Sequence, residues 1–491
     1  MITTRKIMFI FFILLLLSFS ASMANTGDIN LEMSCKVINH DFFKNFSAQG
    51  HIQVNSEKLI EFINRITSNS FSFGDTSILS SASFESDFKA NYNSLYLDNI
   101  NLKIDSTLIK GFFVIENLKK PSIKFKLKGN QIDIDKYISI SNSINQKQTV
   151  EKDDKQKENS KNDSINKIKN ISFNGILEFD LVKFHNLEIN NFFVDASAEK
   201  GIISLAPVSG GLYGGKYLCN FNADFSQKDP AYLLNLKVEN VAIHEFIKAL
   251  SGNDKISGNF HAYAALISKG LYFKEIISNL NGNSEFLLNN GKLKGMYFLP
   301  SVVIDEIFSY MSNLGKNDYS KEEFFKERSI KRVRGILKIS DGVIENNDFI
   351  FIADFLEALG KGKFDIAHLK ADYALKIDIS GFPIIPIFVK GPVSDINVSL
   401  DRMEFTKNTA IGVVKAPLNL SKEVLNLGTS ILDKGITFID KGSDALGDNG
   451  ASKVGKGVLS IGKGILDVGK GVLDVGKDII DGGKNIIKKE D

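Results

Sequence analysis

Six histidines, two cysteines and a tandem of Gly-Lys steps are the residues whose types and spacing could do chemistry. The Gly-Lys steps come nearest to a known motif. Read as G-x-x-x-x-G-K, the frame fits Gly457 to Lys463, Gly464 to Lys470 and Gly471 to Lys477. A phosphate-binding loop ends in Lys-Ser or Lys-Thr, because the hydroxyl ligates magnesium. Here Lys463 and Lys470 precede Gly, Lys477 precedes Asp, and no buried strand leads in. One nucleotide also needs one loop, not several in tandem. His40, His51, His185, His244, His261 and His368 fall into no H-E-x-x-H or H-x-H spacing, so they form no sequence-local metal site. There is no G-x-S-x-G elbow. The carboxylate pair Asp153-Asp154 lies in a polar stretch and reads as solvating. The glycines of Gly210-Gly211-Leu212-Tyr213-Gly214-Gly215 lack a following helix and read as a strand-to-strand turn, with Tyr213 packing. Cys35 and Cys219 are too few and too far apart for a zinc site or a disulfide framework. They form at most one bond in an oxidising compartment, or else act as small half-buried hydrophobes. Nothing in the chain calls for an enzyme, a metal or a cofactor.

The elements that would position any site are mostly strands. Of 491 residues, 43% are hydrophobic, and the net charge of +2 gives no basic excess to suggest nucleic acid. From the leader to about residue 405 the hydrophobic period is near two. Ile123, Phe125 and Leu127 alternate with Lys124, Lys126 and Lys128; Ile100, Leu102 and Ile104 alternate with Asn101 and Lys103; Tyr373, Leu375, Ile377 and Ile379 alternate with polar residues. That alternation puts apolar side chains on one face of a sheet. Turn signals at Asn289-Asn290-Gly291, Ser340-Asp341-Gly342 and Asn346-Asn347-Asp348 separate the runs. An antiparallel, mainly β meander follows, with short helices expected at Ser56 to Thr67, Ile243 to Leu250 and Pro300 to Leu314. A sheet with one apolar face must bury it. A sandwich or closed barrel would do so, and so would a curled sheet with an apolar trough. In the trough arrangement the lining residues are expected among Phe112, Val114, Phe125, Leu127, Phe349, Phe351, Tyr373, Leu375 and Ile377.

Composition sets the boundaries. Residues 1–24 carry a short basic region, an apolar run from Ile7 to Leu17, and small residues ending Ser22-Met23-Ala24. This is either a signal peptide or an N-terminal membrane anchor, and both place the rest outside the cytoplasm. A first β unit spans 26–140. Residues 141–170 are almost wholly polar, a solvated linker with nothing to bury. A second β unit spans 171–405.

Residues 406–491 form a tail, which becomes a seven-residue repeat from Val454. At about 100° per residue the repeat makes a broad apolar face, with Val458, Leu459, Ile465, Leu466, Val472, Leu473, Ile479 and Ile480. A narrow polar stripe includes Lys463, Lys470 and Lys477. Nine glycines between Val454 and Ile487 cost such a helix about 9 kcal/mol against alanine. Fourteen Val, Leu and Ile residues could offset this at ~1.5–3 kcal/mol each when buried. The tail is therefore expected to be an amphipathic helix that docks on a membrane or partner, or caps the sheet.

The second β unit resembles the AsmA family in its C-terminal region. The resemblance is carried by "LAPVSGGLYGGKYLCNFNADF" (Leu205 to Phe225), "NLKVENVAIHEFIKAL" (Asn235 to Leu250), "ISGNFHAYAAL" (Ile256 to Leu266), "LNGNSEFLLNNGKLKGM" (Leu280 to Met296), "GILKISDGVIENNDFIF" (Gly335 to Phe351) and "FVKGPVSDINVSLD" (Phe388 to Asp401). Upstream, Ser106 to Ile138 resembles a step common in the same family. The resemblance covers about residues 90–405. Ile396 stands where the family usually has Pro, and most of the extended N-terminal β region of longer members is missing. The resemblance implies an elongated, curved antiparallel β-sheet groove with a greasy concave face. It also implies a place in the periplasm, with an inner-membrane anchor if the leader is not cleaved. The partners it implies are phospholipid or another acyl-chain lipid, the inner or outer membrane, and an envelope protein. The role it implies is lipid transport toward the outer membrane or, alternatively, non-conducting assembly of outer-membrane proteins.

Overall fold

The computed structural model describes residues 29–39, 47–57, 81–118, 120–136, 169–184, 186–252, 255–295, 299–313, 315, 320–354, 356–379 and 382–410. All nineteen described strands belong to one sheet. In chain order they are Ile29–Asn39 (β1), Ser47–Ser56 (β2), Ala82–Asn91 (β3), Ser94–Ile104 (β4), Thr107–Glu116 (β5), Ser122–Asp133 (β6), Ser172–Phe184 (β7), Leu187–Glu199 (β8), Ile202–Leu212 (β9), Gly215–Asp224 (β10), Ala231–Ala242 (β11), Asn259–Lys269 (β12), Asn281–Lys294 (β13), Glu327–Ser340 (β14), Val343–Ala353 (β15), Leu356–Asp365 (β16), Lys370–Ile379 (β17), Ile385–Pro392 (β18) and Asn397–Leu400 (β19). Each strand pairs with the next, and β1 and β19 are not paired to each other, so the sheet is open. Five short α-helices among the described residues join it: Ile243–Ser251 (α1), Phe273–Ser278 (α2), Ser301–Asn313 (α3), Glu322–Phe325 (α4) and Arg402–Ala410 (α5).

The expected antiparallel meander is interrupted once. β6 and β7 run parallel, from Ser122 opposite Ser172 to Asp133 opposite Lys183. Parallel neighbours need a connection of about a dozen residues or more to bring the chain back to the same end. Residues 134–171, which include the polar stretch, supply that length. The strands on either side of the polar stretch are therefore edge-to-edge partners in one sheet.

The helices expected at Ile243 to Leu250 and Pro300 to Leu314 form as α1 and α3. Ser56 closes β2, and most of the helix expected to follow it, like the leader and residues 411–491, lies outside the described residues. Ser340-Asp341-Gly342 turns the chain as its composition requires, with Asp341 and Gly342 both at positive φ. The other two turn signals do not reverse it. Asn290 sits at φ 52° inside β13, which continues to Lys294. Asn346-Asn347-Asp348 forms an irregularity within β15. There the side chains replace lost ladder bonds. The Ile336 N–H donates to Asp348 Oδ1 at 2.8 Å, and Asn346 Nδ2 donates to the Ile336 carbonyl at 2.8 Å. Asn and Asp tolerate strained backbone and bond their own neighbourhood, so they serve bulges as well as turns. Tyr213 and Gly214, both at positive φ, make the two-residue loop between β9 and β10.

Candidate functional site: one apolar face across the sheet

Residues directly opposite in a ladder share a face, so the register fixes which side chains lie together. Phe113 faces Phe125, Ile115 faces Ile123, and Gly111 faces Leu127. Across β4 the same face continues through Leu95, Leu97 and Leu102, and across β3 through Phe84 and Phe88. Beyond the parallel pair it carries Leu177 and Phe179, then Phe221 opposite Leu205 and Leu234, then Leu266 and Phe286. It ends with Phe349, Phe351, Tyr373, Leu375, Ile377 and Ile387. The opposite face holds Lys124, Lys126 and Lys128 in β6, all exposed. Ion pairs there, such as Lys124 to Glu116 at 3.0 Å, are solvated and contribute little.

Of the residues expected to line a trough, Phe125, Leu127, Phe349, Phe351, Tyr373, Leu375 and Ile377 lie on the apolar face. Phe112 and Val114 do not. Phe112 stands opposite Lys126 and is 39% exposed; Val114 stands between Tyr96 and Lys124. Four consecutive apolar residues, Phe112 to Ile115, hide the period. The partner strand decides it, and Phe125 pairs with Phe113. Sequence reasoning missed the more numerous lining residues of β8–β13, such as Phe221 and Leu234. Their alternation with Asn220, Asn222 and Asn235 was a usable signal.

Packing divides this face in two. From β2 to β12 most of its large side chains are half-buried: Ile52, Phe88, Leu97, Phe125, Phe221 and Leu234 are typical. At β13 and β14 Leu288, Leu293, Ile330 and Val333 form a buried cluster, with Ile243 of α1 and Ile256 packed against it. From β15 to β19 it is sealed at one end of the strands. The apolar stripe of α3, formed by Val303, Ile304, Ile307 and Met311, joins Phe405 of α5 over Leu356, Ile377, Ile379, Ile385 and Ile387. Ile377, expected as a trough residue, is therefore 1% exposed and belongs to this closed core.

Rings pack closely over glycines of the neighbouring strand. Phe179 covers Gly129 and Phe125 covers Gly175, a reciprocal pair across the parallel β6–β7 junction. Desolvation on this face shifts its phenol and thiol groups. Burial pushes the Tyr217 phenol up to about 12, with Cys219 beside it adding to the shift. Burial also raises the Cys219 thiol, which is free, as is the exposed Cys35. Tyr373 is raised chiefly by burial and then by the Asp348 charge, and its hydroxyl is bonded to Asn346.

His51 contacts Asp87 at 3.0 Å and Glu85 at 3.4 Å on the polar face, and His368 contacts Asp365 at 2.8 Å. Among the described residues no group of three or more His, Cys, Asp and Glu side chains is placed to hold a metal ion. No described helix is long and apolar enough to cross a membrane. The expected docking residues of the tail, Val458 to Ile480 with Lys463, Lys470 and Lys477, lie outside the described residues.

Fold and site together define a class: an open β-sheet protein with a continuous apolar face, part of it closed by its own helices. The chain belongs to the AsmA family, whose model matches residues 75–349, more than half of it. Protein AsmA of Escherichia coli K12 is 18% identical over 308 residues, covering 61% of this chain and 49% of that protein. The chain thus spans about half the length of this curated relative. No solved structure matches it. Membership of this envelope family suggests an envelope- or lipid-related function, and neither the family nor the relative indicates an enzymatic activity.

Proposed function

We propose that this protein works in the periplasm, associated with a membrane, and binds phospholipid acyl chains along its apolar β face, contributing to outer-membrane lipid homeostasis. One observation carries the reading. The register keeps apolar residues on a single face from strand to strand, and from β2 to β12 most of the large ones are half-buried. An acyl chain asks for apolar lining and for no fixed hydrogen bonds, and a long exposed apolar surface marks a binding site. A point site with convergent polar groups, as a catalyst would need, is not what this arrangement offers.

The test uses neighbours in one strand pair. Phe221 and Leu234 are opposite each other on the apolar face of β10 and β11. Leu218, on the polar face of β10, is 40% exposed. Full-length protein extracted in mild detergent is analysed by native mass spectrometry. Phospholipid should co-purify with the wild type, fall at least about fivefold in Phe221→Asp and Leu234→Asp, and stay unchanged in Leu218→Asp. A wild type free of lipid, or equal retention in all three variants, defeats the reading. Recovery of an outer-membrane protein client without lipid would support the scaffold role instead.

A further inference from the structure

We infer that the track is closed at its C-terminal end, so that the protein is a one-ended holder of lipid and not a through-conduit. This rests on the lipid reading above.

An acyl chain and the apolar stripe of a helix make the same demand on a sheet. At β15–β19 the demand is already met. Ile307, Phe405 and Ile385 are 0% exposed, and Met311, Ile377 and Ile387 are 1% exposed. The two helices are also tied to each other and to the sheet. Tyr310 donates its hydroxyl to Thr406 at 2.6 Å and packs its ring on Phe405 at 5.3 Å. Arg402 is paired with Glu306, and Lys376 donates to Glu404 at 2.6 Å. Asn408 donates to the Ile384 carbonyl at 3.1 Å. The other half of these strands is occupied differently. Tyr373, Asn346 and Asp348 form a polar network on the apolar face, in which Asn346 is 4% exposed. A lipid tail would have to expel a close-packed cluster to pass, and interiors of this density do not yield to gentle displacement. A conduit needs two open ends. Among the described residues this face is open only ahead of β13, so lipid must enter and leave there.

Photo-crosslinking tests this in the full-length chain. The photoreactive amino acid p-benzoylphenylalanine replaces Phe221 in the open stretch or Val389 in β18, a half-buried residue packed against the sealed cluster. Each protein is incubated with vesicles of phosphatidylethanolamine and phosphatidylglycerol containing a radiolabelled phospholipid, then irradiated. Phe221 should label at least tenfold more than Val389. In the background of Phe405→Ala, Val389 labelling should rise severalfold while Phe221 labelling, which reports an intact sheet, is retained. Equal labelling at both sites in the wild-type background overturns the closed end. Val389 staying dark after Phe405→Ala removes the helices as its cause. If neither site labels in any protein, the lipid reading itself fails, a distinct result. Should Phe405→Ala lose the Phe221 signal, Tyr310→Phe, which removes only the tie to Thr406, takes its place with the same expected rise.

Discussion

Substitution of Gly129 by alanine tests the junction on which the sheet's continuity depends. Gly129 in β6 lies opposite Phe179 in the parallel strand β7. A Cβ placed on Gly129 would stand 2.1 Å from Phe179 Cε1 and 2.4 Å from Cδ1. Carbon atoms rest at about 3.5–4.0 Å, so the ring must retreat by more than about 1 Å. Phe179 is only 4% exposed, and overpacking of that kind costs about 1–3 kcal/mol. The cost should vanish when the ring is gone. In a double-mutant cycle by urea denaturation, Gly129→Ala in the Phe179→Leu background should be milder by about 1 kcal/mol or more, with unchanged m-values. Additive effects, or a neutral Gly129→Ala, would show that the ring does not lie on the glycine. The parallel register between β6 and β7 would then be wrong.

Two further outcomes are expected. Ile307→Ala should destabilise the chain by about 2–5 kcal/mol, while Val302→Ala, at a position 68% exposed on the same helix, should stay within about 0.5 kcal/mol; equal losses in denaturation would mean that α3 does not face the sheet as described. The Asp365 carboxyl is held below the usual carboxylate range by the His368 side chain and then by the His368 backbone N–H. Its contribution to stability is therefore fully present above the unfolded value, about 3.9, and is lost as pH falls through the lower folded value. By NMR titration His368→Ala should move Asp365 upward, and an unmoved midpoint would refute the assignment.

What the sequence discloses depends on whether one residue's neighbours along the chain carry the same information as its neighbours across the sheet. In β6 and β17 they do. Lysines or other polar residues between Ile123, Phe125 and Leu127, or between Tyr373, Leu375 and Ile377, fix the face without a partner. In Phe112 to Ile115 and Phe349 to Ile352 they do not, because both faces are apolar. Gly360, opposite Phe349, and Phe125, opposite Phe113, supply the missing information. The helical stripe of α3 was visible in the spacing of Val303, Ile307 and Met311, but its docking over Ile377 was not, since an amphipathic helix names no partner. The Asn346 to Asp348 stretch looked like a turn because the residues that relieve a turn also relieve a bulge. The parallel β6–β7 pair is silent in periodicity altogether: strand direction leaves no trace in side-chain alternation.

The energetics of the open stretch bear on what covers it. A half-buried phenylalanine that keeps a quarter of its ~200 Å² bare forgoes about 1 kcal/mol at ~25 cal/mol per Å². Repeated over strands β2 to β12, that is a standing cost which the described helices could have removed, as α3 and α5 do at the other end. The two ends of one face thus follow opposite rules. Where the chain encodes its own cover, the cover is apolar at every fourth residue and packed to zero exposure. Along the rest, Phe125 packs over Gly175 and stays half-buried, as do Phe221 and Leu234. On the lipid reading this is consistent. A cover that must exchange cannot be part of the fold, and its binding stabilises the sheet only by mass action, as RT ln(1 + [L]/Kd). Delipidated protein should then be the less stable form, with the deficit concentrated ahead of β13, where the described helices supply no substitute.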